Sequence, residues 1–290
     1  MNTRNQIRYI VGAGLALAAI ISVALTASSR ADNLTLQDVI SKHLDSIGTP
    51  ETRASIQSRV ILGTAVATFR LGGKGQAEGR AVLASQANMI LVGISFDVPD
   101  YPRENMGFDG KTLTVADLTP GVRSTLGKFF MTHEMPFREG LLAGTLSAAW
   151  PLLDMSSKKA SMKYDGLKKI EGRQFHVIRY EPKNDSDLKT KLYFEADTFR
   201  HVRTEYELRQ VQEMVTRPGV TQQQGDSITK LIEEFSNFKA ENGLNLPHTY
   251  KLQLSIETLN RRVLQDWEFT LSQFAFNKTL DKKQFDVTSK

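Results

Sequence analysis

The residue types best able to hold a metal ion are scattered along this 290-residue sequence. None of its five histidines lies three to five residues from another, as the histidines of a zinc motif usually do. His133 and Glu134 begin like the zinc motif H-E-x-x-H, but Phe137 stands where its second histidine would be. The sequence therefore predicts no metal site.

Residues that could act as nucleophiles or acid–base pairs lack the neighbours that such chemistry needs. Ser147 has no flanking glycines of the G-x-S-x-G type, and the chain contains no cysteine. Lys74 follows a glycine-rich stretch, but Gly75 stands where a phosphate-binding loop carries Ser or Thr. Glu233 and Glu234 are adjacent, so in a strand their carboxylates point to opposite faces. These patterns favour a protein that is not an enzyme.

Asp109 is followed by glycine between two runs of alternating apolar and polar residues, ENMGF and KTLTVAD. An Asp-Gly pair is a strong signal for a type I′ hairpin turn, in which both central residues have positive φ. We therefore predict that Asp109 is a solvent-facing turn residue and takes no part in catalysis.

The first 31 residues have the pattern of an export signal. Two arginines precede the apolar run 9–27, and Ser29 and Ala31 have the small-x-small spacing of a cleavage site. Cleavage there would leave a mature chain that begins near Asp32 in the periplasm. The apolar run is long for a signal peptide, so an uncleaved anchor stays open as the alternative.

The charge of the mature chain gives no reason to expect nucleic acid as a partner. The formal net charge falls from +5 to +2 without the leader, which carries three arginines and no acidic residue. The 40% hydrophobic content is enough for a core. Without cysteine the chain has neither disulfides nor a lipidated N-terminal cysteine, and no second apolar stretch could span a bilayer. We expect a monomer.

Three segments have helical periodicity. In the first, Thr35 and Asp38 suit a capping box and Gly48 suits the end of the helix. In the third, Pro136 suits a first helical position and Pro151 forbids continuation. This third segment is apolar around much of its circumference, so it should be buried on most sides. The predicted helices span residues 35–47, 122–130 and 136–150.

Most of the remaining chain alternates apolar and polar residues as half-buried strands do. The alternation changes parity between Leu271 and Phe274, which predicts a bulge. The polar stretch 216–227 is predicted to be a loop. The residues that share apolar faces include, strand by strand, Ile90, Val92, Ile94 and Phe96, then Val202, Thr204, Tyr206 and Leu208, and finally Tyr250, Leu252, Leu254 and Ile256.

Ten or more antiparallel strands with one dry face, together with a few apolar helices, predict a mostly β (α+β) fold. The helices have no other place to bury, so the sheet should curl around them and close only partly. If the helices do not fill the sheet, an apolar cavity remains. If they do, the same side chains form a solid core, and both alternatives stay open.

Five weak motifs follow one another along most of residues 33–277. They are, in chain order, LTLQDVISKHLDSIG, ENMGFDGKTL, GLKKIEGRQFHVIRYEP, LYFEADTFRHVRTEY and EFSNFKAENGLNLPHTYKL. Their order resembles that of the LolA/LolB type of periplasmic lipoprotein carrier, within the broader group of outer-membrane lipoprotein-sorting proteins. The resemblance implies a single domain over residues 32–290, a half-open β-barrel with a helical lid and an apolar inner face that holds acyl chains.

Two functions follow as alternatives, neither with a cofactor. The first is a non-catalytic periplasmic binding or carrier protein for lipoprotein acyl chains, lipids or other apolar cargo, with envelope proteins as further partners. The second is a sensor or scaffold of the same fold, tethered in the envelope by an uncleaved anchor and transferring no cargo. For the first, the predicted ligand-binding residues are Ile90, Val92, Ile94, Phe96, Leu192, Phe194, Tyr206, Leu252 and Leu254 on the sheet, beneath a lid of Phe129, Phe130 and Trp150.

Overall fold

Twelve antiparallel strands form one curled sheet in the part of the chain that the structure describes. The computed structural model describes residues 34–184, 186–210 and 227–288. The strands are β1 (Ser58–Leu71), β2 (Gly75–Gln86), β3 (Met89–Phe96), β4 (Arg103–Phe108), β5 (Leu113–Val115), β6 (Ser161–Ile170), β7 (Arg173–Glu181), β8 (Lys189–Glu195), β9 (His201–Gln210), β10 (Ser227–Glu241), β11 (Leu244–Glu257) and β12 (Arg262–Phe276).

The sheet has two free edges, so it does not close into a barrel. Its strand order is β5-β4-β3-β2-β1-β12-β11-β10-β9-β8-β7-β6. Neighbours in the sheet are neighbours in sequence, except that β1 pairs with β12 at the centre. The chain between β5 and β6 must therefore pass from one edge of the sheet to the other. The predicted fold class is confirmed.

Short helices occupy the two stretches that precede β1 and connect β5 to β6. The first predicted helix is confirmed, with Thr35 as its N-cap in a capping box with Asp38. A second helix follows directly and was not predicted. Its N-cap is Thr49, and Pro50 occupies its first position, where proline is tolerated, rather than marking the end of helical structure. The helices are α1 (Leu36–Ile47), α2 (Pro50–Ser55), α3 (Thr125–Thr132), α4 (Met135–Arg138) and α5 (Met155–Lys158), with 3₁₀ turns at Gly144–Leu146, Pro151–Leu153 and Lys282–Phe285.

The predicted helix over residues 136–150 is wrong as a continuous helix. Only its first turn forms, as α4, because Gly140, Ala143 and Gly144 have left-handed φ values of 77°, 64° and 49°. The apolar pattern reflects burial on most sides, as predicted, and not helical structure. The predicted helix over 122–130 begins later, at Thr125, after its N-cap Ser124.

Two bulges decide which side chains face inward. The predicted bulge in β12 is confirmed, since Leu62 pairs with Gln273 and Gly63 with Leu271. A second bulge, in β9, was not predicted. Because of it, the prediction that Val202 shares the inner face with Tyr206 is wrong. His201 turns inward in place of Val202. Val202 instead joins a small cluster on the outer face, with Phe175, Val177 and Tyr193.

The hairpin between β4 and β5 contains Asp109 at its corner, as predicted, but it is not a type I′ turn. The loop has four residues, 109–112, and although Gly110 has a φ of 90°, Asp109 does not have a positive φ. Asp109 Oδ1 instead accepts the backbone N–H groups of Thr112 (2.7 Å) and Lys111 (2.8 Å). The hydrogen bond from Thr112, and to a smaller extent that from Lys111, holds the pKa of Asp109 below its usual value.

We expect Asp109→Asn to leave the free energy of unfolding within about 0.5 kcal/mol of the parent, because the amide oxygen accepts the same two N–H groups. Asp109→Ala removes that acceptor and should cost about 1–2 kcal/mol. Urea unfolding of both variants checks this. Equal losses in the two would mean that the ion pair of Asp109 with Lys282 (3.2 Å) matters more than the turn.

The predicted leader and most of the predicted loop over 216–227 lie outside the described residues. From Leu34 onward the described residues form one compact unit. No helix among them is long and apolar enough to cross a membrane.

Candidate functional site

Residues 124–153, here called the middle segment, lie on the inner face of the sheet, the face that carries the main hydrophobic cluster. Helix α3 packs against β4 and β5, and the turn Gly144–Leu146 packs against β9 and β11. The large side chains of the segment are buried in the same cluster as the inner face. They include Leu126, Phe129, Phe130, Phe137, Leu141, Leu142, Leu146 and Trp150.

All twelve predicted ligand-binding residues belong to this one cluster, and none is more than 6% exposed. Strands β3, β8, β9 and β11 supply nine of them, on the inner face. Phe129, Phe130 and Trp150 come from the middle segment and pack above that face. The middle segment thus occupies the space in which a ligand was predicted, so a chain can bind there only if the segment moves.

Polar groups fix the middle segment at points spread over the whole sheet. Each contact joins one residue of the segment to a different strand or to α1, and sequence analysis identified none of them. In chain order, Ser124 Oγ donates to Glu104 of β4 (2.9 Å), Glu139 accepts from the Tyr180 hydroxyl of β7 (2.9 Å), Ala143 N–H donates to Glu233 of β10 (2.7 Å), the Thr145 carbonyl accepts from Arg59 of β1, Ala148 N–H donates to Ser85 Oγ of β2 (2.8 Å), and Trp150 Nε1–H donates to His43 of α1 (3.0 Å).

Glu233 is fully buried beneath the middle segment. Its Oε1 accepts from Ala143 N–H and the Tyr250 hydroxyl (2.8 Å), and its Oε2 accepts from the Tyr206 hydroxyl (2.8 Å). Burial raises the pKa of Glu233 to about 7, although these three donors act in the opposite direction. The carboxyl can therefore change its protonation state near neutral pH.

Glu104 occupies a similar position at the start of the segment. It is 2% exposed and accepts from Ser124, whose Oγ also accepts from Gly127 N–H and so caps α3. Burial raises the pKa of Glu104 to about 7, against the effect of the Ser124 hydroxyl. The start of α3 and the turn at Ala143 are thus attached to the sheet through different buried carboxyls.

Two histidines that are far apart in sequence meet at Trp150. His43 Nδ1 donates to the Phe199 carbonyl (3.0 Å), so its Nε2 is the atom that accepts from Trp150. His201 stacks on the Trp150 ring at 4.5 Å between centroids, an arrangement that depends on the bulge in β9. Burial lowers the pKa of His43 to about 4 and that of His201 well below its usual value, so both are neutral core residues.

A cleft of about 410 Å³ opens at the end of the middle segment, where Trp150 forms part of its wall. Its volume lies in the range of ligand pockets, roughly 300–1,000 Å³. A larger cleft of about 680 Å³ lies at the β7–β8 turn, but half of its lining residues are charged and none belongs to the predicted site. The lining of the first cleft is Ala87, Asn88, Ala148, Ala149, Trp150, Pro151, Leu153, Asp154 and Lys158.

The predicted separation of the adjacent glutamates is confirmed. Glu233 points to the inner face, whereas Glu234 lies on the outer face and accepts from Arg203 (3.1 Å). Among the described residues, no group of three or more histidine or acidic side chains is placed to hold a metal ion.

Several solved structures are similar to this chain. A LolA superfamily protein from Nitrosomonas europaea shares 14% identity over 87% of this chain and 97% of its own, with a TM-score of 0.45. A putative outer membrane lipoprotein-sorting protein domain from Vibrio parahaemolyticus shares 12% sequence identity over 85% of this chain and 97% of its own, with a TM-score of 0.41. A chain of the MucA/MucB complex from Pseudomonas aeruginosa shares 10% sequence identity over 83% of this chain and 100% of its own, with a TM-score of 0.23.

No protein-family model matches the sequence, and no curated protein matches it. The resemblance to the LolA/LolB group, predicted from the motifs, agrees with the first two structures. At these identities the likeness concerns the fold alone.

Proposed function

We propose that this protein binds a long apolar chain between the inner face of the sheet and the middle segment, without catalysing a reaction. The ligand is an acyl chain of a lipid or of an acylated protein, and the middle segment is a plug that yields to it. In this account the packed state described above is the ligand-free state.

One observation carries the proposal: the middle segment takes no part in the hydrogen-bond ladder of the sheet. Every strand pairing among the described residues joins positions outside 124–153. The segment can therefore leave the inner face without breaking a strand pair. The face beneath it is largely apolar, with a few buried polar groups that hold the segment, so the space it vacates suits an apolar ligand.

The energy balance favours partial displacement. Moving a buried Phe or Leu into water costs about 1.5–3 kcal/mol, and each ligand methylene that becomes buried contributes about 0.8 kcal/mol. Burial of an acyl chain of about sixteen carbons therefore contributes on the order of 12 kcal/mol. This offsets the cost of exposing several apolar side chains to water, but not the cost of exposing those of the whole segment. We expect the end of the segment beside the cleft to lift while α3 stays in place.

The cleft at Trp150 is the proposed entrance. Five of its lining residues are small or apolar and belong to the segment or its immediate continuation, and the β2–β3 turn forms the opposite wall. Lys158 lies at this cleft and donates to the Arg138 carbonyl (3.0 Å), while burial lowers its pKa. A chain that enters here passes along Trp150, which forms part of the cleft wall.

The motif resemblance makes acyl chains of lipoproteins the first ligand to test. Export and a periplasmic location belong to the proposal, because the leader that predicts them lies outside the described residues. A tethered sensor or scaffold remains the alternative, and sequencing the mature N-terminus distinguishes the two, since a shuttle that carries cargo through the periplasm must be cleaved near Asp32.

The entrance is tested by Ala148→Trp, because Ala148 lines the cleft and only its backbone N–H holds Ser85. The indole should displace about two methylenes of the ligand and weaken binding of a fluorescent fatty acid about tenfold. Leu259→Trp, at a position that is 62% exposed in the β11–β12 turn, is the matched control and should bind like the parent.

Mass spectrometry of natively purified parent protein should also show bound lipid, with less in Ala148→Trp. If the parent carries no lipid and takes up no fatty acid, the middle segment is a permanent part of the core and the proposed function is wrong.

A further inference from the structure

Glu233 accepts hydrogen bonds from two permanent neighbours and one removable neighbour. Tyr206 of β9 and Tyr250 of β11 belong to the sheet, whereas Ala143 belongs to the middle segment. No positively charged group among the described residues contributes to the pKa shift of Glu233. Two further titratable groups pack against the same region: His201 of β9 contacts Phe235 and the Trp150 ring, and Arg59 of β1 binds the segment at Thr145.

Moving the Ala143 N–H group away from Glu233 has a different free-energy cost when Glu233 is ionised than when it is protonated. A carboxylate that loses its N–H donor and gains an apolar chain as neighbour is a buried charge with one hydrogen bond fewer, which is strongly unfavourable. A neutral carboxylic acid loses only an ordinary hydrogen bond, because charge-assisted bonds are about twice as strong as neutral ones.

We propose that Glu233 is a proton-operated latch: when ionised it holds the middle segment against the sheet, and when protonated it allows an apolar chain to take the segment's place. This inference rests on the proposed function, and it assigns to that site a regulation by pH. Acidification through neutrality opens the site.

The electrostatic environment supports this direction. Burial raises the pKa of Glu233 to about 7, and the hydrogen bonds from Tyr206, Tyr250 and Ala143 act to lower it. Replacing Ala143 by a hydrocarbon removes one of these bonds and so raises the pKa further. Because the ligand-bound form has the higher pKa, binding takes up a proton and weakens as the pH rises above about 7.

The stability of the ligand-free fold depends on the same group in a separate way. The pKa of Glu233 is raised above its value of 4.5 in the unfolded chain. Its stabilising contribution is therefore fully present below about pH 4.5 and is lost as the pH rises through about 7. Glu233→Gln is neutral at every pH, so this variant should be no less stable than the parent at pH 8.

The experiment measures binding of pyrene-labelled dodecanol, a neutral probe with no titratable group, from pH 5.5 to 8.5. Parent affinity should fall about tenfold or more across this range, since one unit of pKa difference corresponds to a factor of ten. Glu233→Gln should bind at pH 8.5 at least tenfold more tightly than the parent and match it at pH 5.5. Glu234→Gln, the same change one residue away on the outer face, should follow the parent profile.

A second variant shifts the latch without neutralising it. Tyr250→Phe removes one of the two donors to Oε1, which should raise the pKa of Glu233 and move the midpoint of the binding profile to higher pH. Burial also raises the pKa of Glu104 of β4, which accepts from Ser124 at the start of the segment, to about 7. The difference between parent and Glu233→Gln isolates the contribution of Glu233.

The outcomes separate the two claims. If the parent binds the probe equally at all pH values, or if Glu233→Gln keeps the parent's profile, the latch is overturned and the proposed function stands. If neither the parent nor any variant binds the probe at any pH, the proposed function fails and the latch fails with it.

Discussion

Replacing Gly140 with alanine should lower the free energy of unfolding by about 3 kcal/mol, one of the largest effects expected for a single methyl group in this protein. Gly140 has a φ of 77°, a left-handed conformation that costs other residues about 1–2 kcal/mol. An added Cβ would also lie 2.1 Å from the carbonyl oxygen of Ala149, a backbone atom that can move only if the turn opens. Relieving that contact adds about 1–2 kcal/mol.

Gly166→Ala is the matched control. Gly166 in β6 has a similar φ of 83°, but an added Cβ would meet nothing within 4 Å. Its cost should therefore be the conformational part alone, about 1–2 kcal/mol. Urea unfolding of the two variants measures the difference, and equal losses would show that the turn of the middle segment is not closely packed around Gly140.

The parts of the fold that depend on local sequence were predictable. The capping box of Thr35 and Asp38 set the start of α1, and alternation along β3 and β11 identified their inner faces. These signals act over a few residues, so a single sequence carries them. The separation of Glu233 from Glu234 followed in the same way, from the two-residue period of a strand.

The middle segment was not predictable from periodicity. Its apolar residues are spaced like those of a buried helix, because the segment is surrounded on most sides. The left-handed residue Ala143 breaks the helix, yet alanine favours helix locally. Its conformation is tied instead to a hydrogen bond with Glu233, 90 residues away in the sequence.

The cluster at Trp150 was missed for a related reason. His201 faces inward only because of the bulge at Val202, and no local pattern marked that bulge. His43 is buried on α1, but its partner Trp150 lies 107 residues away in the sequence. The polar contacts that hold the middle segment are therefore properties of the tertiary structure.

The central claim is that the middle segment must leave the sheet for a ligand to bind, and a reversible cross-link tests it most directly. The chain has no native cysteine, so Ser85→Cys with Ala148→Cys introduces a single pair. The two positions are adjacent, since Ala148 N–H donates to Ser85 Oγ at 2.8 Å. A disulfide between them would fix the end of the segment beside the proposed entrance to β2.

The decisive measurement is uptake of the pyrene-labelled alcohol by this double variant before and after reduction, with each single variant as a control. We predict that the oxidised protein loses at least about 90% of the uptake, because a tenfold loss of affinity corresponds to only about 1.4 kcal/mol and the fixed segment denies the chain most of its buried contacts. Adding a thiol reductant should restore uptake to the level of the single variants. Equal uptake by the oxidised and reduced forms would contradict the account, because the ligand would then bind without displacement of the middle segment.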